Sequence, residues 1–173
     1  MKKTALIFPG QGSQSVGMGK EFFDVSKGAQ EVFEIANASL DVDIKDLCFS
    51  GPVEELSKTE ITQPAILTAS IAVLRGIREE CELDAAYVAG HSLGEYTALV
   101  CAGVLELSDA IKLVSNRGRF MQESVPEGLG AMSAVIGLDN DMVIEECRKA
   151  STGDEQVVAA NLNSPGQVVI SGN

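Results

Sequence analysis

The sequence predicts an α/β protein with a parallel sheet in its larger part and a βαββ unit in its smaller one. Three observations carry this. Short apolar runs at 4–8 and 85–89 each stop at glycine or proline, and segments with helical spacing separate them. Strands that alternate with helices imply a parallel sheet covered on both faces. The pentapeptide Gly90-His91-Ser92-Leu93-Gly94 falls between the second run and a helix of small residues. After Pro126-Glu127-Gly128 the texture changes to strand, helix, strand, turn and strand. The expected division is therefore 1–127 and 128–173.

Each element has its own reason. The run 4–8 ends at Pro9-Gly10 and reads as a buried strand entering a loop. Residues from about 20 to 40 are helical in composition, as two helices broken near Gly28. Pro64 suits the first turn of a helix, and Leu67, Ile71, Leu74, Ile77 and Cys81 then recur at helical spacing. A second strand is expected at 85–89 and a helix from Leu93 to about Gly103. Ser108 can cap a further helix that runs to about Ser124. In the smaller part, 131–137 reads as a strand, 139–150 as a helix and 157–161 as a strand. Asn163-Ser164-Pro165-Gly166 makes a turn, and 167–171 pairs back as a hairpin. The order βαββ opens a ferredoxin-like split βαβ unit, which closes with one more helix and strand. These 173 residues contain neither, so the smaller part reads as truncated.

Composition bounds the partners. Hydrophobic residues make up 45 % and charged residues 22 %, which suits a packed core rather than a disordered chain. Only 5 % is aromatic and Trp is absent, so Ala, Val, Leu and Ile must fill that core. A net charge of −12 argues against nucleic acid or an anionic membrane surface as a partner. Cys48, Cys81, Cys101 and Cys147 form no CxxC pair, and the one histidine is His91. That spacing fits neither a zinc site nor a disulfide framework, and buried free thiols in a reducing cytosol are expected. The apolar stretch after Met1-Lys2-Lys3 is shorter than the roughly 7–15 residues of a signal-peptide core. No run approaches the roughly 20 apolar residues of a membrane span. A soluble, cytoplasmic protein is the expectation.

Three features stand out chemically. Gly90-His91-Ser92-Leu93-Gly94 matches G-x-S-x-G in the strand-to-helix position that the motif requires. A sharp turn there holds a serine at its tip, and the flanking glycines let strand and helix approach. The Ser92 hydroxyl then sits at a helix N-terminus, where free N–H groups favour developing negative charge. A serine that merely caps the helix is the alternative. A nucleophile needs a base, yet adjacent residues leaving a strand point to opposite sides, so His91 packs beside the turn rather than against the hydroxyl. The base is then missing from these residues, which again makes the chain a fragment of a longer enzyme.

Phe8-Pro9-Gly10-Gln11-Gly12-Ser13-Gln14 invites a nucleotide-loop reading. The dinucleotide fingerprint requires a glycine where Ser15 stands, and the phosphate loop requires Gly-Lys where Gly17-Met18 stands. A flexible loop that brings a backbone N–H near Ser92 fits better. Arg117 falls within the apolar arc formed by Ala110, Ile111, Leu113, Val114, Gly118, Phe120 and Met121, while Arg119 lies on the polar face. A guanidinium on a buried face needs an anion or several acceptors. Periodicity leaves open whether that anion is a substrate or a structural carboxylate.

Together these blocks resemble a known family. Phe8 to Gln14, Thr62-Gln63-Pro64-Ala65, Gly90 to Tyr96, Asn116-Arg117-Gly118 and Asn163-Ser164-Pro165-Gly166-Gln167 are similar, in order and spacing, to the malonyl-CoA:acyl-carrier-protein transacylases of bacterial fatty acid synthesis. The stand-alone enzymes are the nearer likeness, rather than polyketide synthase modules. The resemblance implies an α/β-hydrolase-like large subdomain with a ferredoxin-like small one. It implies that Ser92 accepts the acyl group, that the Gln11 and Leu93 N–H groups form the oxyanion hole, and that Arg117 pairs with the malonyl carboxylate. It further implies malonyl-CoA and acyl carrier protein as partners, a monomer, no metal or redox cofactor, and a catalytic His beyond these residues, without which the fragment is inactive.

Two rival readings remain. A lipase or esterase shares the turn but passes the acyl group to water, and a buried Arg117 counts against it because a neutral ester offers no anion. A non-catalytic binding module would need no base.

Overall fold

Two short parallel strands, β1 (Ala5–Phe8) and β2 (Tyr87–Gly90), carry the site, with Phe8 opposite Gly90. The computed structural model describes residues 3–124 and 128–173. These fall into two compact units, Met1–Gln122 and Glu123–Asn173. The boundary expected at 127/128 rests on Pro126-Glu127, which lie outside the described residues.

In the first unit the ladder continues at both ends of the strands. Ala86 N–H donates to the Thr4 carbonyl and His91 N–H to that of Phe8. A parallel pair needs a long crossover, supplied here by α1 (Lys20–Val25), α2 (Lys27–Ser39), α3 (Ile44–Ser50), α4 (Val53–Leu56) and α5 (Thr59–Glu80). After β2 come α6 (Leu93–Cys101) and α7 (Leu107–Ser124). Helix α6 packs on both strands. The expected cover on both faces is not realised among the described residues, because Ile7 stays 78 % and Tyr87 60 % exposed.

Helix α5 organises the core. It is buried without a break from Thr62 to Ala69, and again at Ile71, Ala72 and Leu74. Against it lies α2, through a core that includes Val32, Phe33 and Ala36. Phe33 also meets Phe23 and Phe49 edge-to-face at 5.7 and 4.9 Å between ring centres. Each fully buried Leu, Ile or Phe contributes about 1.5–3 kcal/mol. Pro64 lies inside α5 rather than in its first turn, because the helix already starts at Thr59. The bond that its nitrogen cannot donate to the preceding turn costs on the order of 3 kcal/mol in an ordinary helix. The unbroken burial around it holds the helix through that loss.

Other boundaries also differ from expectation for local reasons. The break between α1 and α2 falls at Ser26, not Gly28. Ser26 is extended and its side chain caps α2 by accepting from Ala29 N–H, while Gly28 sits inside the helix. Helix α7 starts one residue before Ser108, and the Ala110 N–H donates to the Glu106 carbonyl. The second strand is Tyr87–Gly90, displaced toward the turn it feeds.

The second unit is an antiparallel sheet with one helix. Strands β3 (Ala131–Ile136), β4 (Val157–Ser164) and β5 (Gln167–Gly172) lie in the order β3-β5-β4. Helix α8 (Asn140–Ala150) is capped by the Asp139 side chain, which accepts from Asp141 N–H. Val143 and Cys147 of α8 close a small core with Val168, flanked by Val135, Val157, Ala159 and Ile170. Strand β4 runs past the expected end at 161, because register shifts against β5 absorb its extra length.

All four cysteines are free, but only Cys48 and Cys147 are buried. Burial pushes the Cys48 thiol up to about 12. Cys81 is exposed because it stands at the C-cap of α5, beyond the last buried turn.

Candidate active site

The turn after β2 forces an unusual backbone on one residue. Ser92 has φ 52° and ψ −102°, and among the described residues it alone has positive φ without being glycine. Such a conformation is costly for an L-residue and persists only where its surroundings fix it. They do so by close approach. A Cβ on Gly90 would run into the Gly94 carbonyl group, and one on Gly94 into the Phe8 carbonyl oxygen. Ser92 occupies the N-cap of α6, yet its side chain makes no capping hydrogen bond. The helix-capping alternative for this serine therefore fails.

The Ser92 hydroxyl instead faces α7. Its Oγ accepts from Arg117 Nη2 at 2.9 Å. Arg117 Nη1 donates to Gln63 Oε1 at 2.7 Å, and the guanidinium lies 5.7 Å from the centre of the Tyr96 ring. Close packing of α7 on α5 makes this reach possible, since a Cβ on Gly118 would stand 2.5 Å from the Thr59 carbonyl oxygen. Among the described residues no carboxylate pairs with Arg117, so a structural salt bridge does not account for it. The apolar arc of α7 is narrower than expected. Ala110, Ile111, Val114 and Gly118 are buried, whereas Leu113, Phe120 and Met121 are exposed. Arg117 therefore stands half-buried at the edge of the arc rather than within it.

The loop after β1 lies alongside this turn, as the Phe8–Gly90 register requires. Hydrogen bonds brace it. Gly12 N–H donates to Gln14 Oε1, Ser13 Oγ to the Gly10 carbonyl and Gly17 N–H to the Cys48 carbonyl. Gln11 reaches α5, its Nε2 donating to Thr59 Oγ1 at 3.3 Å. Among the described residues the backbone N–H groups of Gln11 and Leu93 make no hydrogen bond. The exposed His91 ring sits beside Gly10, with Nδ1 2.7 Å from the point where a Cβ there would stand. Packing beside the turn is what alternation along the strand implies.

Sequence reading picked out Ser92, Arg117, Gln11 and Leu93, and the structure brings Ser92 and Arg117 into direct contact. It missed Gln63, a fully buried amide on Arg117. The signal for it was its place in Thr62-Gln63-Pro64-Ala65, one of the blocks that resemble the family.

A serine at the tip of a strand–turn–helix, with a guanidinium on its hydroxyl, defines the class of the site. The chain belongs to the acyl transferase domain family, whose sequence profile matches residues 5–173. It is 54 % identical over 173 residues to a malonyl CoA-acyl carrier protein transacylase of Haemophilus influenzae, covering 99 % of this chain and 55 % of that protein. It is also similar to the solved malonyl CoA-acyl carrier protein transacylase of Coxiella burnetii, with a TM-score of 0.93 and 46 % identity over 99 % of this chain and 54 % of that one. A malonyl-transacylase solved in complex with a type II PKS acyl-carrier protein matches at a TM-score of 0.92 and 47 % identity, over 99 % of this chain and 55 % of that one. The chain thus spans about half the length of the relatives it matches.

Proposed function

We propose that these residues form the nucleophile-bearing half of a malonyl-CoA:acyl-carrier-protein transacylase. The observation that carries this reading is the Arg117 guanidinium at the Ser92 hydroxyl, with no carboxylate among the described residues to neutralise it. A cation three ångströms from a nucleophile suits an acyl group that ends in an anion, and malonyl is such a group.

In the first step a base takes the Ser92 proton, and Oγ attacks the thioester carbonyl of malonyl-CoA. The Gln11 and Leu93 N–H groups hold the oxyanion. Collapse breaks the C–S bond, and the coenzyme A thiolate leaves with the proton. In the second step the phosphopantetheine thiol of acyl carrier protein attacks the seryl ester and frees Ser92. Arg117 holds the malonyl carboxylate through both. The base comes from outside these 173 residues. His91 sits beside Gly10, and the matched relatives are nearly twice as long. Residues 1–173 alone are therefore inactive. The smaller part contributes a ferredoxin-like unit beginning near 128, for which the order β3-β5-β4 with α8 on one face is the support.

The test is acyl transfer by the full-length protein with labelled malonyl-CoA and phosphopantetheinylated carrier protein. Label should move to the carrier protein. Release of free malonate at the same rate with and without carrier protein would identify a hydrolase and refute the proposal.

A further inference from the structure

We infer that Gln63 is a positioning residue, which aims the Arg117 guanidinium and thereby sets the preference for acyl groups that end in a carboxylate. The inference rests on the transacylase reading of this site. Gln63 is fully buried on α5, and a buried amide must find hydrogen-bond partners or lose stability. Its oxygen has a strong one, Arg117 Nη1 at 2.7 Å. Its nitrogen has weaker ones, Met121 Sδ at 3.2 Å and Gln11 Oε1 at 3.5 Å. A thioether is a poor acceptor and 3.5 Å is a long bond. The contact with Arg117 therefore fixes which way the amide faces.

The backbone beneath it is rigid. Gln63 lies in the unbroken buried run of α5, next to Pro64 and to Thr62, whose hydroxyl donates to the Leu56 carbonyl at 2.6 Å. Arg117, by contrast, is half exposed and has a long flexible stem. A guanidinium is a planar fork with fixed N–H directions. Holding Nη1 on Gln63 fixes that plane and points Nη2 at Ser92 Oγ. A carboxylate arriving on an acyl group attached to Ser92 then meets a donor that is already aimed, which lowers the cost of binding it. An acyl group without a carboxylate gains nothing from Gln63.

The test uses the full-length enzyme, with malonyl-CoA and acetyl-CoA compared on each variant. Gln63→Met keeps the length and removes the acceptor. Malonyl transfer should fall about tenfold in kcat/KM, mostly through KM, as the loss of a charged hydrogen bond implies. Acetyl transfer should be unchanged, so the malonyl-to-acetyl ratio drops. In an Arg117→Ala background the same substitution should have no further effect. Equal losses for both acyl groups, or an undiminished effect without Arg117, would overturn the inference. Should Gln63→Met fail to fold, Gln63→Glu serves instead. It keeps the acceptor and adds a charge that competes for the guanidinium, so the same fall in ratio is expected and an unchanged ratio refutes. Wild type distinguishes the two claims. A wild type indifferent to the carboxylate sinks the transacylase reading itself. A selective wild type with equally selective Gln63 variants sinks only the role of Gln63.

Discussion

Arg117 Nη2 donates to Ser92 Oγ across 2.9 Å, which ties a residue of α7 to the turn between β2 and α6. The contact has a direct consequence for substrate choice. Arg117→Ala removes a charge-assisted and potentially bidentate contact to a carboxylate. At this half-buried position the loss is about 1.5–3 kcal/mol, or roughly 10–100-fold in malonyl transfer. Acetyl transfer should change little. Arg117→Lys keeps the charge but loses the fork and should fall between. Parallel loss of both activities with a lowered melting temperature would make Arg117 structural.

The contact depends on how closely α7 lies on α5. A methyl group at position 118 would press on the Thr59 carbonyl oxygen and, at 2.7 Å, on Glu60 Cα, and neither backbone atom can swing aside. Gly118→Ala should therefore cost about 1–3 kcal/mol, as overpacking does. It should also depress malonyl transfer, since Arg117 is the preceding residue. Urea denaturation measures the first effect. An unchanged midpoint would mean that the helices are not packed this tightly.

Much of this was legible beforehand, for reasons that differ by element. The turn at Ser92 was readable because its close contacts are met by glycine at both 90 and 94, leaving a local signature. Strands β1 and β2 were readable as short apolar runs ended by Pro9-Gly10 and by that turn. Helices α3 and α4 were not anticipated. Ile44–Ser50 and Val53–Leu56 are too short to show a full apolar period. Arg117 announced itself as a charge near an apolar face. Gln63 stood within the block Thr62-Gln63-Pro64-Ala65, but its role was not readable, because its partner lies 54 residues away and is found only by folding. The exposed face of β1 and β2 was likewise invisible, since alternation along the chain says nothing of how wide a sheet becomes.

Acid should loosen the junction between α2 and α5. The Ser26 side chain foremost, and then the Gly28 N–H, which donates to Glu79 Oε1 at 2.6 Å, hold the Glu79 carboxyl below its ordinary value. A carboxyl that is more acidic folded than unfolded contributes stability above its unfolded pKa and loses it as pH falls through the folded value. Glu79→Gln should thus lower the urea midpoint at neutral pH, and the difference should shrink below about pH 4. A gap of constant size from neutral pH down to acid would contradict the charged role of Glu79.

The central claim is that Ser92 carries the acyl group, and intact-mass measurement of the full-length protein after mixing with malonyl-CoA tests it most directly. Wild type should gain one malonyl adduct that carrier protein then removes, and Ser92→Ala should gain none. An adduct of the same occupancy on the folded Ser92→Ala variant would contradict the account.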